Sequence, residues 1–70
     1  MPLPIAPVGA EMTVKRIGLD DKTKRHLESL GITIGAKLTV LSSSGGNTII
    51  AIMNGRLCLD RVVSSKILVA

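Results

Sequence analysis

The chain has 70 residues, 46% of them hydrophobic, with no Phe, Tyr or Trp and with nine Lys and Arg against five Asp and Glu for a net charge of +4. A domain of this size buries only about 60% of its unfolded surface, so its core must be dense and wholly aliphatic. The missing aromatic side chains exclude stacking platforms for single-stranded nucleic acid and grooves for proline-rich peptides, and the lone Cys58 forms no internal disulfide, which fits a reducing cytoplasm.

Residues Met1 to Ala10 lack an early positive charge and are broken by Pro2, Pro4 and Pro7, so they do not read as a signal peptide. An extended segment is expected there, with Leu3 and Ile5 tucked onto the domain and Pro7-Val8-Gly9 turning into the first strand. Met12 to Ile17 is strand-like, but its alternation breaks at Lys15-Arg16. A β-bulge lets Val14 and Ile17 both face inward. After a turn at Gly18 to Asp21, a helix is expected over Lys22 to Leu30, capped by Asp20 or Asp21. Thr23, Leu27 and Leu30 would face the core, and Lys22, Lys24, Arg25 and Glu28 the solvent.

Gly31 follows the last apolar helical position, where a left-handed residue ends a helix and glycine takes it without steric cost. Gly35 then precedes a strand over Lys37 to Leu41, and Ser42 to Gly46 reads as a flexible loop. Asn54-Gly55 between two apolar runs is a hairpin signature of the type I′ turn. It sets Ile52 opposite Leu57 and Ile50 opposite Leu59, with all four on the core face. The other face carries Ile49, Ala51, Met53 and Cys58, an apolar surface expected to support weak self-association or partner docking. Asp60 to Ser65 is a short helical turn, and Ile67 to Val69 a closing strand. The longest aliphatic run, Ile49 to Met53, spans five residues, against the roughly 20 of a membrane-spanning helix. A soluble chain without direct membrane insertion is expected.

Candidate chemistry is thin. Ser43-Ser44-Gly45-Gly46-Asn47 lacks the Lys-Ser or Lys-Thr pair of a phosphate loop and runs into a strand instead of a helix. His26 and Cys58 are the only soft metal ligands, whereas a structural zinc site takes about four, so no metal site and no cofactor is expected. No nucleophile and base are paired in the sequence, and Asp20-Asp21 is explained by helix capping, so no catalytic residue is assigned and no enzyme is expected. Lys15, Arg16, Lys22, Lys24 and Arg25 cluster in sequence, as an anion-facing patch or a solvated face.

Leu27-x-x-Leu30-Gly31-Ile32-x-x-Gly35, preceded by Pro7-x-Gly9 and Val14-x-x-Ile17 and followed by Leu57 to Arg61 and Ile67-x-Val69, resembles the ferrous iron transport protein A (FeoA) family over nearly the whole chain. The resemblance implies a mostly β, Src-homology-3-like (SH3-like) small barrel of about five strands over residues 1–70, with one helix inserted after the first strand. It implies a cytoplasmic accessory protein of bacterial ferrous iron uptake that binds and regulates the membrane GTPase subunit through its cytosolic GTP-binding domain, placing it peripherally at the inner face of the plasma membrane. The partner-binding residues expected are Lys24, Arg25, Leu30, Gly31, Ile34 and Gly35. Ile34 stands where family members often carry proline, and Ser64 where many carry alanine. The same fold occurs as the C-terminal domain of iron-dependent repressors. The alternatives are therefore a stand-alone regulatory barrel of a metal-dependent repressor system and a basic nucleic-acid-binding barrel, although no nucleic acid partner is expected.

Overall fold

The first strand decides how the sheet is assembled. In the computed structural model, which describes residues 1–53 and 55–70, β1 (Glu11–Ile17) is followed by α1 (Asp21–Ser29), β2 (Lys37–Ser44), β3 (Asn47–Ile52), β4 (Gly55–Leu59), α2 (Arg61–Ser65) and β5 (Ile67–Val69). The strands hydrogen-bond in the order β4-β3-β2-β1-β5. β1 changes partner along its length. Glu11 to Thr13 pair with β2, whereas Val14 to Ile17 pair with β5. The ladder slips between Val14 and Arg16, which is the bulge that the broken alternation predicts. It leaves Lys15 and Arg16 in solvent while Val14 and Ile17 are buried. A second slip between Val40 and Ser42 in β2 adds twist where the sheet must curl. The result is the expected mostly β small barrel with its helix after β1; the ladder itself stays open between β4 and β5.

One aliphatic core fills the concave side. Leu3, Val14, Ile32, Val40, Ile50 and Ile67 are fully enclosed, and each such side chain contributes about 1.5–3 kcal/mol on leaving water. The N-terminal segment is a short 3-10 turn over Leu3–Ile5 instead of an extended run. Leu3 and Ala6 are buried as a result, but Ile5, expected inside, is 71% exposed. A turn points Leu3 and Ala6 the same way and sends Ile5, the second of the two residues between them, outward. Pro2 bridges to Leu68, and Met1 exchanges two 2.7 Å backbone bonds with Val69.

Two hairpins differ from expectation. Ser42 to Ser44 belong to β2, and only Gly45-Gly46, with φ of 59° and 86°, make the turn. Positive φ at both central positions is the type I′ requirement, and the Ser43 hydroxyl is anchored by a 3.0 Å bond to the Pro4 carbonyl. In the second hairpin Ile52 pairs with Gly55, Ile50 with Leu57 and Thr48 with Leu59. The expected pairings of Ile52 with Leu57 and Ile50 with Leu59 are therefore wrong by two positions. The connection begins one residue early at Met53, whose φ is 54°, and Asn54 lies outside the described residues. Because side chains alternate with period two, a slip of two keeps the same face inward. Ile50, Ile52 and Leu59 are buried and Leu57 packs on the core.

Candidate interaction surface

The helix and the turn after it are rigid for reasons written in their backbone bonds. The Asp20 carboxylate accepts a 2.9 Å bond from the Thr23 N–H and caps α1. Hydrogen bonding from Thr23 holds this carboxyl below its usual value. At the other end Ile32 N–H donates to the Leu27 carbonyl at 2.9 Å and Gly31 N–H to the Glu28 carbonyl at 3.0 Å, with Gly31 at φ 98°. This is a Schellman motif, and the buried pair Leu27 and Ile32 supplies its hydrophobic contact. Ser29 caps the His26 carbonyl at 2.6 Å. A helix end with its carbonyls free for a partner is thus not what the fold presents. Immediately after, Ala36 N–H donates to the Thr33 carbonyl at 3.0 Å and Gly35 has φ 89°, the type II pattern with Ile34 at its second position. Gly35 N–H and the Ala36 carbonyl both bond Val14, each at 2.8 Å, tying the turn to β1 at its bulge.

Apolar side chains crown this double turn. Leu30, expected in the core, is the helix C-cap and 37% exposed, because the left-handed residue after it turns the chain before another inward position is reached. Ile34 is 56% exposed and Met53 83%. Met53 leaves the outer face of its hairpin, where it was expected beside Ile49, Ala51 and Cys58, and lies against Gly31 instead: a Cβ on Gly31 would stand 2.7 Å from the Met53 sulfur. Ile49 and Cys58 remain paired and exposed on that hairpin face. Leu30, Gly31, Ile34 and Gly35 lie within one segment of two successive turns, and Met53 reaches Gly31 from the β3–β4 connection.

Lys24 and Arg25 sit on the outer side of α1 among carboxylates. They line one shallow surface with Asp21 and Glu28, and the Arg25 Nε donates to the Asp21 carbonyl at 3.3 Å. Salt-screened charges of both signs at helical spacing make a solvated face. His26 and Cys58 both line a groove of about 200 Å³ between α1 and β4, together with Asp60. Among the described residues no three His, Cys, Asp or Glu side chains converge as a metal-binding group. The sequence held no signal for that groove, which arises because β4 returns beside the helix. No helix among the described residues is long and apolar enough to cross a membrane.

Comparison with known proteins agrees over the full length. A family model described as the FeoA domain matches residues 1–70. The chain is 35% identical over 68 residues to a protein named putative Fe(2+) transport protein A from Methanocaldococcus jannaschii, covering 97% of this chain and 83% of that one. Among solved structures it is similar to a crystal structure of an iron uptake regulatory protein, FeoA, with a TM-score of 0.87 and 26% identity over 99% of this chain and 93% of the other. The solution structure of FeoA from Chlorobium tepidum gives a TM-score of 0.87 and 25% identity over 99% and 68%. A manganese-dependent transcriptional repressor gives 0.83 and 27% over 96% of this chain and 39% of that protein.

Proposed function

The chain belongs to the FeoA domain family, and from that premise we propose that it is a cytoplasmic accessory protein of ferrous iron uptake that binds and regulates the membrane GTPase subunit of the transporter. In this reading iron is the transporter's cargo and reaches this chain only indirectly or transiently. The partner is the cytosolic GTP-binding domain, and the contact is the double turn after α1, with Leu30, Gly31, Ile34 and Gly35 at its centre and Lys24 and Arg25 beside it.

The observation that supports this most is an exposed apolar cluster held on rigid backbone. Two left-handed glycines, a Schellman motif and a type II turn fix the backbone that carries the exposed Leu30 and Ile34, and the exposed Met53 arrives against Gly31 from a hairpin distant in sequence. Pre-ordered apolar side chains bind without the entropy cost of ordering a loop, and Met adapts its shape to a partner surface. Ile34→Lys with Met53→Lys is the direct test. The double variant keeps its melting temperature, since both side chains are mostly in solvent, but loses at least about tenfold in affinity for the purified GTP-binding domain and supports less ferrous iron uptake in cells lacking the native protein. Wild-type binding and uptake by that folded variant refute the assignment of the surface.

A further inference from the structure

The net charge of the protein is concentrated at one corner of the sheet, away from the helix. Within residues 20–29, Asp20, Asp21 and Glu28 balance Lys22, Lys24 and Arg25. Glu11 lies 4.0 Å from Lys37, and Asp60 adjoins Arg61 in the chain. Lys15, Arg16, Arg56 and Lys66 are left, and they account for the whole +4. Three of these four fall where β1 meets β5.

That corner is shaped by the bulge. The slip between Val14 and Arg16 puts two consecutive cations, Lys15 and Arg16, in solvent. Gly18 N–H donates to the Lys66 carbonyl at 2.8 Å and holds the β5 end alongside. Arg16 and Lys66 then line a single concavity with Gly18, Ser65 and Leu68, with no carboxylate among its lining. The corner also adjoins the apolar double turn. Val14, one residue before Lys15, is bonded to both Gly35 and Ala36, so the basic residues begin about one strand step from the turn that carries Ile34.

We infer that Lys15, Arg16 and Lys66 form the electrostatic half of the partner contact and receive carboxylates of an acidic protein surface whose apolar part covers Leu30, Ile34 and Met53. The inference rests on the accessory reading above and adds the chemistry of the partner. The exposed guanidinium and ammonium along this open concavity donate charge-assisted hydrogen bonds to a protruding Asp or Glu. A flat anionic bilayer reaches a concavity less well, and its one apolar lining residue, Leu68, is half-buried and offers little to insert. The contact is steered by charge and centred on apolar side chains, the usual division between rim and core of an interface.

The test uses the full chain and the purified transporter in neutral detergent. Wild-type affinity is expected to fall steeply with added salt. Lys15→Ala/Arg16→Ala/Lys66→Ala should keep the wild-type melting temperature, bind about tenfold or more weakly at low salt and lose most of the salt dependence. Arg61→Ala, which removes a cation beside Asp60, should bind within about twofold of wild type. Binding by the triple variant equal to wild type overturns this inference and leaves the accessory reading standing; no binding by the wild type overturns both. A parallel arm uses vesicles of anionic phosphatidylglycerol without transporter. Wild-type binding there that the triple variant loses assigns the corner to lipid and overturns the acidic-protein assignment.

Discussion

Alanine at Gly31 and at Gly35 separates two costs that usually arrive together. Gly31 has φ 98° and a Cβ there would meet the Met53 sulfur at 2.7 Å, whereas Gly35 has φ 89° and open space within 4 Å. The backbone term is similar at both sites, about 1–2 kcal/mol for an L-residue forced to positive φ. The steric term exists only at Gly31, and it is small, because an exposed methionine end can move to another staggered rotamer for about 0.5 kcal/mol or less. Each variant should therefore lose about 1–2 kcal/mol, which for a domain this small lowers the melting temperature by roughly 5–15 °C. The assay is urea and thermal unfolding followed by far-ultraviolet circular dichroism, the chain having no aromatic residue for fluorescence. Gly31→Ala/Met53→Ala should recover no more than about 0.5 kcal/mol over Gly31→Ala alone. A loss beyond about 3 kcal/mol at Gly31 that Met53→Ala restores would show Met53 locked in place. Losses below about 0.5 kcal/mol at both glycines would refute the backbone argument itself.

Two further variants probe what the fold tolerates. Thr48 is 1% exposed and its hydroxyl has no hydrogen-bond partner among the described residues, so Thr48→Val should stabilise the protein by about 1 kcal/mol in urea unfolding; destabilisation would mean that a water or an unseen partner satisfies the hydroxyl. Asp20 has its carboxyl held below the ordinary value of 3.8 by hydrogen bonding from Thr23, so its contribution to stability is present above that value and is lost as pH falls through the lower folded value. Asp20→Asn should flatten the acid limb of the stability curve as pH falls below 3.8, and an unchanged limb would remove the cap from the acid response.

Much of the fold was legible because its signals are local and steric. The Lys15-Arg16 interruption announced the bulge and Gly31 the helix stop, and each follows from which backbone positions a residue can hold. The hairpin register was not legible to the same degree. Any slip by two leaves Ile50, Ile52, Leu57 and Leu59 on one face, so the hydrophobic pattern does not choose between the pairings. The choice falls to contacts beyond the hairpin, where only the cap residue Asp60 separates Leu59 from α2 and the Ser64 hydroxyl bonds the Leu59 carbonyl at 3.1 Å. Ser42 to Ser44 looked like a loop because serine carries no strand signature, although a short polar side chain fits an exposed strand once a glycine pair turns the chain. The candidate surface was half legible. Its glycines and Ile34 are adjacent in sequence, but Met53 reaches them only through the folded hairpin. The five basic residues from Lys15 to Arg25 are one cluster in sequence, and the fold divides them: Arg16 shares a concavity with Lys66, while Lys24 and Arg25 lie beside Asp21 and Glu28 on α1.

The change of partner along β1 also orders events in time. β2, β3 and β4 are joined by tight connections, so their meander closes cheaply, whereas Val14 meets Val69 across nearly the full chain. Loop-closure entropy makes that distant pairing a late step, and the short β5 that completes it is held by few pairs. Sub-global opening should therefore begin by releasing the β5 end from β1, with the Ala70 amide, which bonds the Thr13 carbonyl at 2.9 Å, exchanging ahead of those in β3. Uniform protection across both strands would instead describe a barrel that opens only as a whole.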